Sequence, residues 1–425
     1  DACKAVVEKP EDENGVSSFQ ALMVSTASRV GTGNIIGVSS AICIGGFGSV
    51  FWMWVIAIIG SASALIESTL AQIYKKKGKD GECYGGPAYY IEAALHCRPL
   101  AIVFCISMIA TYAFGFNMLA SYNLQSTFSG FSFYDTKWTP WIIGGILALI
   151  TGWCLLGGGS RIVKVTSTLV PAMGVAYILI AVIVMIINHA YLPVVFSKII
   201  SEAFDFQAIF GAFAGSAMMQ GIRRGLYSNE AGIGSAPNAS ASAQVSHPIK
   251  QGLVQMLSVF IDTLLLCTAT AMMCLSSGIA PAQELQGAPW VQAALHESLG
   301  NFGPLFITVA MVLFAFTTLL GNCFYCDNLL NYIHKGQPSK GFMKGFRIVS
   351  SLVVFIGAGM EVSMLWNISD VLMGVMALIN IPVILILSNT ALKALADYEK
   401  QKKDGENPVF RARDIGLEYE TDYWG

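Results

Sequence analysis

Apolar runs long enough to cross a bilayer recur along the whole chain, divided by short polar connections. At about 20 residues per span, ten segments emerge: 18–44, 47–74, 99–128, 140–158, 166–188, 207–228, 250–277, 302–333, 345–360 and 368–392. Three connections are longer and more polar, at 75–98, 229–249 and 278–301. The pattern predicts an all-α polytopic membrane protein. Two of the runs are interrupted by small residues. Within the first, Ser28-Arg29-Val30-Gly31-Thr32-Gly33-Asn34 does not suit a continuous helix, because two glycines and an asparagine let the backbone unwind. Within the sixth, Gly211-Ala212-Phe213-Ala214-Gly215-Ser216-Ala217 has the same character. Backbone can unwind at membrane depth only where it is buried in protein or lines a cavity. Glycine-interrupted helices in corresponding positions of two halves point to a midplane binding site; the competing reading is a helix-packing face.

Spans one to five (18–190) and six to ten (205–392) read as two halves. An odd number of spans per half forces the halves into opposite orientations. A polar stretch, 1–17, precedes them, and a charged tail, 393–425, follows.

Charge placement orients the bundle. With the first span running outward from the cytoplasm, 20 of the 25 Lys and Arg residues fall in cytoplasmic connections or the tail; only Lys137 and Lys198 fall outside. That asymmetry is the positive-inside pattern. It predicts a multi-pass protein of the plasma (inner) membrane with a cytoplasmic C-terminus. Trp138, Trp141, Trp290 and Trp366 lie near predicted span ends, where aromatic belts form. Composition agrees: 54% of residues are hydrophobic and 12% charged, against about 25% charged in soluble domains. No basic blocks carry interleaved aromatics, so nucleic acid is not expected as a partner. The ten cysteines are scattered, many within apolar runs, and read as small buried hydrophobes.

Few residues within the spans carry chemistry. The amides of the Gly31–Asn34 break are suited to a carboxylate, and the Asn34 side-chain oxygen to a cation or substrate. The carbonyls of Ala27 and Val30 lie just before the break. Thr317-Thr318 in span eight place adjacent hydroxyls at mid-membrane, although such hydroxyls commonly bond back to their own helix. Asp262 in span seven is an intramembrane carboxylate, hence a functional hypothesis by default: a cation ligand, a gate residue or a fixed anchor. Glu67 lies two turns above Lys75-Lys76-Lys77 and reads as their structural partner. Ser228-Asn229-Glu230 reads as an inner gate, a helix cap or a folded loop. An intramembrane enzyme would need a nucleophile–base pair or a metal cluster within the spans, and no span histidine serves. A passive channel would need a continuous polar path, whereas the polar residues cluster at the breaks and Asp262.

Several motifs resemble one known family, the alanine or glycine:cation symporters. They are Val30-Gly31-Thr32-Gly33-Asn34-Ile35-Ile36-Gly37-Val38, Phe51-Trp52-Met53-Trp54, Gly85-Gly86-Pro87, Asp262-Thr263 and Phe314-Ala315-Phe316-Thr317-Thr318. The most specific is Arg224-Gly225-Leu226-Tyr227-Ser228-Asn229-Glu230-Ala231-Gly232-Ile233-Gly234-Ser235-Ala236-Pro237. The resemblance implies the five-plus-five inverted repeat of the leucine-transporter fold and sodium-coupled uptake of a small neutral amino acid, alanine or glycine first, with no organic cofactor. It places the substrate carboxylate at Gly31, Thr32, Gly33 and Asn34 and its ammonium at Gly215 and Ser216. One sodium falls among Ala27, Val30, Phe314, Thr317 and Thr318, and a second cation or gate position at Asn34 and Asp262. The family's usual additional helix before the ten-helix core is not in this chain, which suggests a truncated start. Ala120 stands where the family usually carries Gln, so Asn117 or Asn123 is expected to supply the polar group. A larger neutral substrate such as glutamine, or proton coupling, is the alternative.

Overall fold

A computed structural model describes residues 1–8, 15–78, 82–205, 215–417 and 421–424. Among the described residues, ten principal helices form the body. They are α1 (Ser18–Arg29, resumed over Gly33–Gly45), α2 (Gly48–Ile73), α3 (Arg98–Ser126), α4 (Thr139–Leu155), α5 (Gly158–Ile187), α6 (Ala217–Asn229), α7 (Pro248–Leu275), α8 (Phe302–Ile333), α9 (Lys340–Ala358) and α10 (Val362–Lys403). Seven of them (α2, α3, α5, α7, α8, α9 and α10) are long and apolar enough to cross a membrane. Among the other three, α1 is broken in two, α4 is apolar but short, and α6 is described only from Ala217 onward. Shorter helices, including Leu192–Ala203 and Ala288–Leu299, cover the connections.

Local chemistry accounts for the start of α1. Ser17 accepts from the Gln20 amide at 3.1 Å while the Gln20 side chain accepts from the Ser17 amide at 3.0 Å, a complete capping box. Small residues set how closely the helices approach. A methyl at Gly321 of α8 would lie 2.7 Å from the Ser28 amide, and one at Gly252 of α7 2.8 Å from the Leu65 carbonyl of α2. The outer faces of α4, α5, α9 and α10 carry exposed apolar residues such as Leu149, Leu179, Leu352 and Leu378, as a lipid-facing surface requires.

The Lys-rich connections gather at one end of the bundle. There, Gln20, Lys164, Asn238, Asn328, Lys340 and Lys344 help line a cavity of about 1470 Å³. The last helix runs to Lys403, eleven residues past the predicted span, and the chain then folds back over this end. Phe410 donates its amide to Ser246 at 2.9 Å, and Trp424 donates Nε1 to the Gln72 carbonyl at 2.7 Å. Trp290 departs from the aromatic-belt expectation: it is fully buried and donates to the Ile279 carbonyl at 3.2 Å.

Candidate binding site at two helix interruptions

The first interruption lies at Val30 and Gly31. The Val30 amide still bonds back to Thr26 at 2.7 Å, but the Gly31 amide turns to the Asn34 side-chain oxygen at 2.9 Å. Helix resumes through wide turns over Gly33–Gly37. Gly31 is required by close approach rather than by backbone angle. A methyl there would fall 2.0 Å from Thr318 Oγ1. The structure thus brings the α1 break against Thr318.

The two threonines differ. Thr317 Oγ1 is within hydrogen-bond distance of the Leu313 and Phe314 carbonyls at 3.0 and 3.1 Å. Thr318 Oγ1 has no partner, although the residue is only 6% exposed. Ala27, Val30 and Phe314 are buried as well. A buried hydroxyl without a partner costs about 1–3 kcal/mol, a cost removed when a ligand supplies the missing contact.

Asn34 and Asp262 also come together, in a sense the spacing did not reveal. Asn34 spends its oxygen on Gly31 and presents its amide N–H groups to the Asp262 backbone carbonyl at 3.2 Å and to Asp262 Oδ1 at 2.8 Å. Asp262 sits in a wide-turn stretch of α7, Phe260–Cys267, and its Oδ2 accepts from Ser228 at 2.9 Å and Thr263 at 2.8 Å. The carboxylate is therefore ringed by donors.

Of the expected partner break in the sixth segment, Gly215, Ser216 and Ala217 are described. Residues 211–214 lie outside the described residues. Ser216 caps α6, accepting from the Met219 amide at 3.3 Å. Next to it, the Ala217 Cα lies 3.1 Å from a methyl built at Gly45. Gly45 is fourteen residues beyond Gly31, about 20 Å along a helix. Gly215 and Ser216 are therefore not brought to the Gly31 break, because α6 enters from the far end of α1.

The interruption that meets α1 is at the other end of α6. Glu230 takes the left-handed conformation at φ 54°, and Gly232 and Gly234 follow at φ 81° and 88°. Glu230 Oε1 lies 2.8 Å from Ser28 Oγ, and its Oε2 accepts from Ser235 at 2.7 Å. The sequence signal was present: Gly232-Ile233-Gly234 repeats the Gly-x-Gly of Gly31-Thr32-Gly33, but it falls in a stretch polar enough to read as a loop. Glu67 also belongs here. It accepts from the Gly232 amide at 3.3 Å and from Asn380 at 2.9 Å, rather than pairing with Lys75–Lys77. Arg29, with no role assigned from sequence, is fully buried and donates to the Gln255 side chain at 3.1 Å.

Asn117 and Asn123 part company. Asn117 accepts from Asn322 at 2.9 Å and faces Cys323, so it is committed to the α3–α8 contact. Asn123 donates to Thr32 Oγ1 at 3.1 Å and leaves its own side-chain oxygen buried without a partner.

On the side away from the Lys-rich cavity, the site is covered. Tyr227 packs between Phe116 and Trp366 at 4.9 and 5.0 Å between ring centres. Arg224 of α6 holds both carboxylate oxygens of Asp370 in α10, at 3.0 and 3.2 Å, and lies 3.9 Å over Trp366. At the Lys-rich end, His247 caps α7. Its Nδ1 accepts from the Ile249 amide at 3.2 Å, so Nε2 carries the proton toward Asp397, also at 3.2 Å. Burial pushes this imidazole down to about 4, against the raising effect of Asp397 and with Lys250 adding to the depression.

Comparison with known proteins places this architecture. The chain is 44% identical to the amino-acid carrier protein AlsT of Bacillus subtilis, covering 97% of this chain and 86% of that one. It is 41% identical to the probable sodium/glutamine symporter GlnT of Bacillus subtilis, covering 94% and 82%. It is 37% identical to the sodium/alanine symporter AgcS of Methanococcus maripaludis, covering 95% and 89%. The crystal structure of MhsT in complex with L-phenylalanine superposes with a TM-score of 0.56 at 13% identity, covering 97% of this chain and 94% of that one, which identifies a shared fold of the leucine-transporter type. The family model for sodium:alanine symporters matches residues 1–412, and the chain belongs to the sodium:alanine symporter family.

Proposed function

We propose that this protein is a sodium-coupled symporter that imports a small neutral amino acid across the plasma (inner) membrane, with its Lys-rich end and C-terminus in the cytoplasm. The observation that carries the reading is the unpartnered Thr318 hydroxyl facing the Gly31 break. The Ala27, Val30 and Phe314 carbonyls and the Thr317 hydroxyl complete a set of neutral oxygens suited to a hard monovalent cation. Alanine or glycine is the first substrate expected, with its carboxylate taken by the α1 break once Asn34 releases the Gly31 amide. Its ammonium would be received by the Glu230–Ser235 break, in place of Gly215 and Ser216.

The closed Arg224–Asp370 pair on one side and the wide cavity on the other favour an inward-facing conformation. Sodium ordering of the breaks, followed by rocking of α1 and α6 with their partners, would then expose the site alternately. One charge crossing 100 mV adds about 2.3 kcal/mol to the drive. A glutamine-sized substrate is the second reading, favoured by the unpartnered Asn123 oxygen beside Thr32. The test is uptake of labelled alanine, glycine and glutamine into proteoliposomes with and without a sodium gradient. Concentrative, sodium-dependent uptake of one of them supports the reading; equilibrating uptake indifferent to sodium overturns it.

A further inference from the structure

The hydrogen atoms around Glu230 do not balance if its side chain is a carboxylate. Ser28 Oγ lies 2.8 Å from Glu230 Oε1 and 2.8 Å from Asn322 Oδ1. A serine hydroxyl carries one proton, and both neighbours are acceptors. Asn322 offers its oxygen to Ser28 because its amide nitrogen is engaged, donating to Asn117 Oδ1 at 2.9 Å. The remaining Glu230 oxygen, Oε2, already accepts from Ser235 at 2.7 Å. One hydrogen is missing. It is supplied if Glu230 is a carboxylic acid: Oε1–H donates to Ser28 Oγ, Ser28 donates to Asn322, and Ser235 donates to Oε2. Every contact then has one donor and one acceptor.

The surroundings fit a neutral acid. Glu230, Ser28, Ser235 and Asn322 are all buried, and the buried Tyr112 and Tyr325 hydroxyls pack beside them, Tyr112 toward Glu230 and Ser235 and Tyr325 toward Ser28. The charged and titratable groups facing Glu230 are Arg29 from α1, Tyr112 from α3, Tyr227 from α6 and Tyr325 from α8, and Arg29 also faces Glu67 of α2 and Asp262 of α7. Three carboxyl groups thus share one guanidinium, and leaving all three ionised in a membrane interior is costly.

We propose that Glu230 is a proton-binding site of the transport cycle, loaded in this conformation and emptied when the two interrupted helices part. Ser28 belongs to the α1 break and Glu230 to the break that follows α6. Any movement of the first half of α1 away from that turn removes the acceptor of the Oε1 proton and admits water from the Lys-rich cavity, which already reaches Asn238 and Phe324. The proton then passes to water and the carboxylate is hydrated. Proton movement is thereby tied to the same rearrangement that opens the site. This inference rests on the symporter reading.

The experiment uses the full chain in liposomes and compares wild type with Glu230→Gln. Glutamine reproduces the donor and acceptor of the acid but cannot release a proton. The first measurement is the infrared carboxylic-acid stretch at neutral pH, identified by its shift in heavy water. A band in wild type that is missing from Glu230→Gln is expected. An unchanged band overturns the proposal, because Glu230 is then ionised and the Asn117 and Asn322 amides are both turned over. The second measurement is a pH-sensitive dye inside the liposomes during sodium-driven alanine or glutamine uptake. Substrate-dependent acidification in wild type, absent from the variant, is expected. Wild-type uptake without proton movement overturns the transport role. Absence of any sodium-driven uptake by wild type instead overturns the symporter reading and leaves the infrared result on Glu230 standing.

Discussion

Thr318→Val isolates a buried hydroxyl that faces the α1 break without a partner. Valine keeps the branched shape and removes the oxygen. In sodium-free buffer no hydrogen bond is lost, because Thr318 Oγ1 makes none. Removing an unsatisfied buried polar group is neutral or stabilising, by up to about 1–3 kcal/mol, so the melting temperature should hold or rise. With sodium the sign reverses. One oxygen contact to a charged group is worth about 1.5–3 kcal/mol, which corresponds to roughly a 10- to 150-fold weaker sodium affinity. Because ligand stabilisation follows RT ln(1 + [L]/Kd), the curve of melting temperature against sodium concentration should move by that factor along the concentration axis. Thr317→Val is the contrast: its hydroxyl bonds to Leu313 and Phe314, so it should lose about 1 kcal/mol even without sodium. The assay is thermal unfolding of detergent-purified protein over a sodium titration, with choline holding ionic strength constant. A Thr318→Val titration that coincides with wild type would refute the assignment of this hydroxyl to sodium.

Three further outcomes follow from the same geometry. Gly31→Ala places a methyl 2.0 Å from Thr318 Oγ1, so it should lower the melting temperature and abolish the sodium response; adding Thr318→Ala should restore folding but not the response. Asp370→Asn leaves buried Arg224 without its counter-charge and should favour opening at the Lys-poor end by about 2 kcal/mol, roughly 30-fold. Spin labels on α6 and α10, at Met218→Cys and Ser363→Cys in a cysteine-depleted background, should report a longer distance. His247 is held neutral in the folded protein, pushed down to about 4, so the unfolded chain binds the extra proton first as pH falls. Stability should be constant above about pH 6.5 and decline toward pH 4 by up to about 3 kcal/mol. His247→Gln should lack that slope in unfolding scans across the same range.

The ten apolar segments, the Lys-rich end, the Gly31 break and the threonine pair could all be read from the chain. Each is a local property: hydrophobic length sets a span, glycine content sets where a helix can unwind, and adjacent hydroxyls are adjacent whatever the fold. The partners of those groups could not be read in the same way. Ser28 meets Glu230 across 202 residues and Asn322 across 294, and such contacts depend on which helix faces which. The same limit displaced the second interruption. Gly211–Ala217 has the composition of a break, but only the direction in which α6 enters shows that its opposite end, at Glu230, reaches α1. Asn34 shows the limit at a single side chain. Its position in the break was legible, but the choice between offering oxygen or nitrogen to Asp262 was made by the Gly31 amide that claims its oxygen. Hydrophobic burial acts additively along a sequence, so a sequence can declare it. Hydrogen-bond satisfaction in a dry interior is a property of the assembled set of donors and acceptors, and only the packed helices determine it.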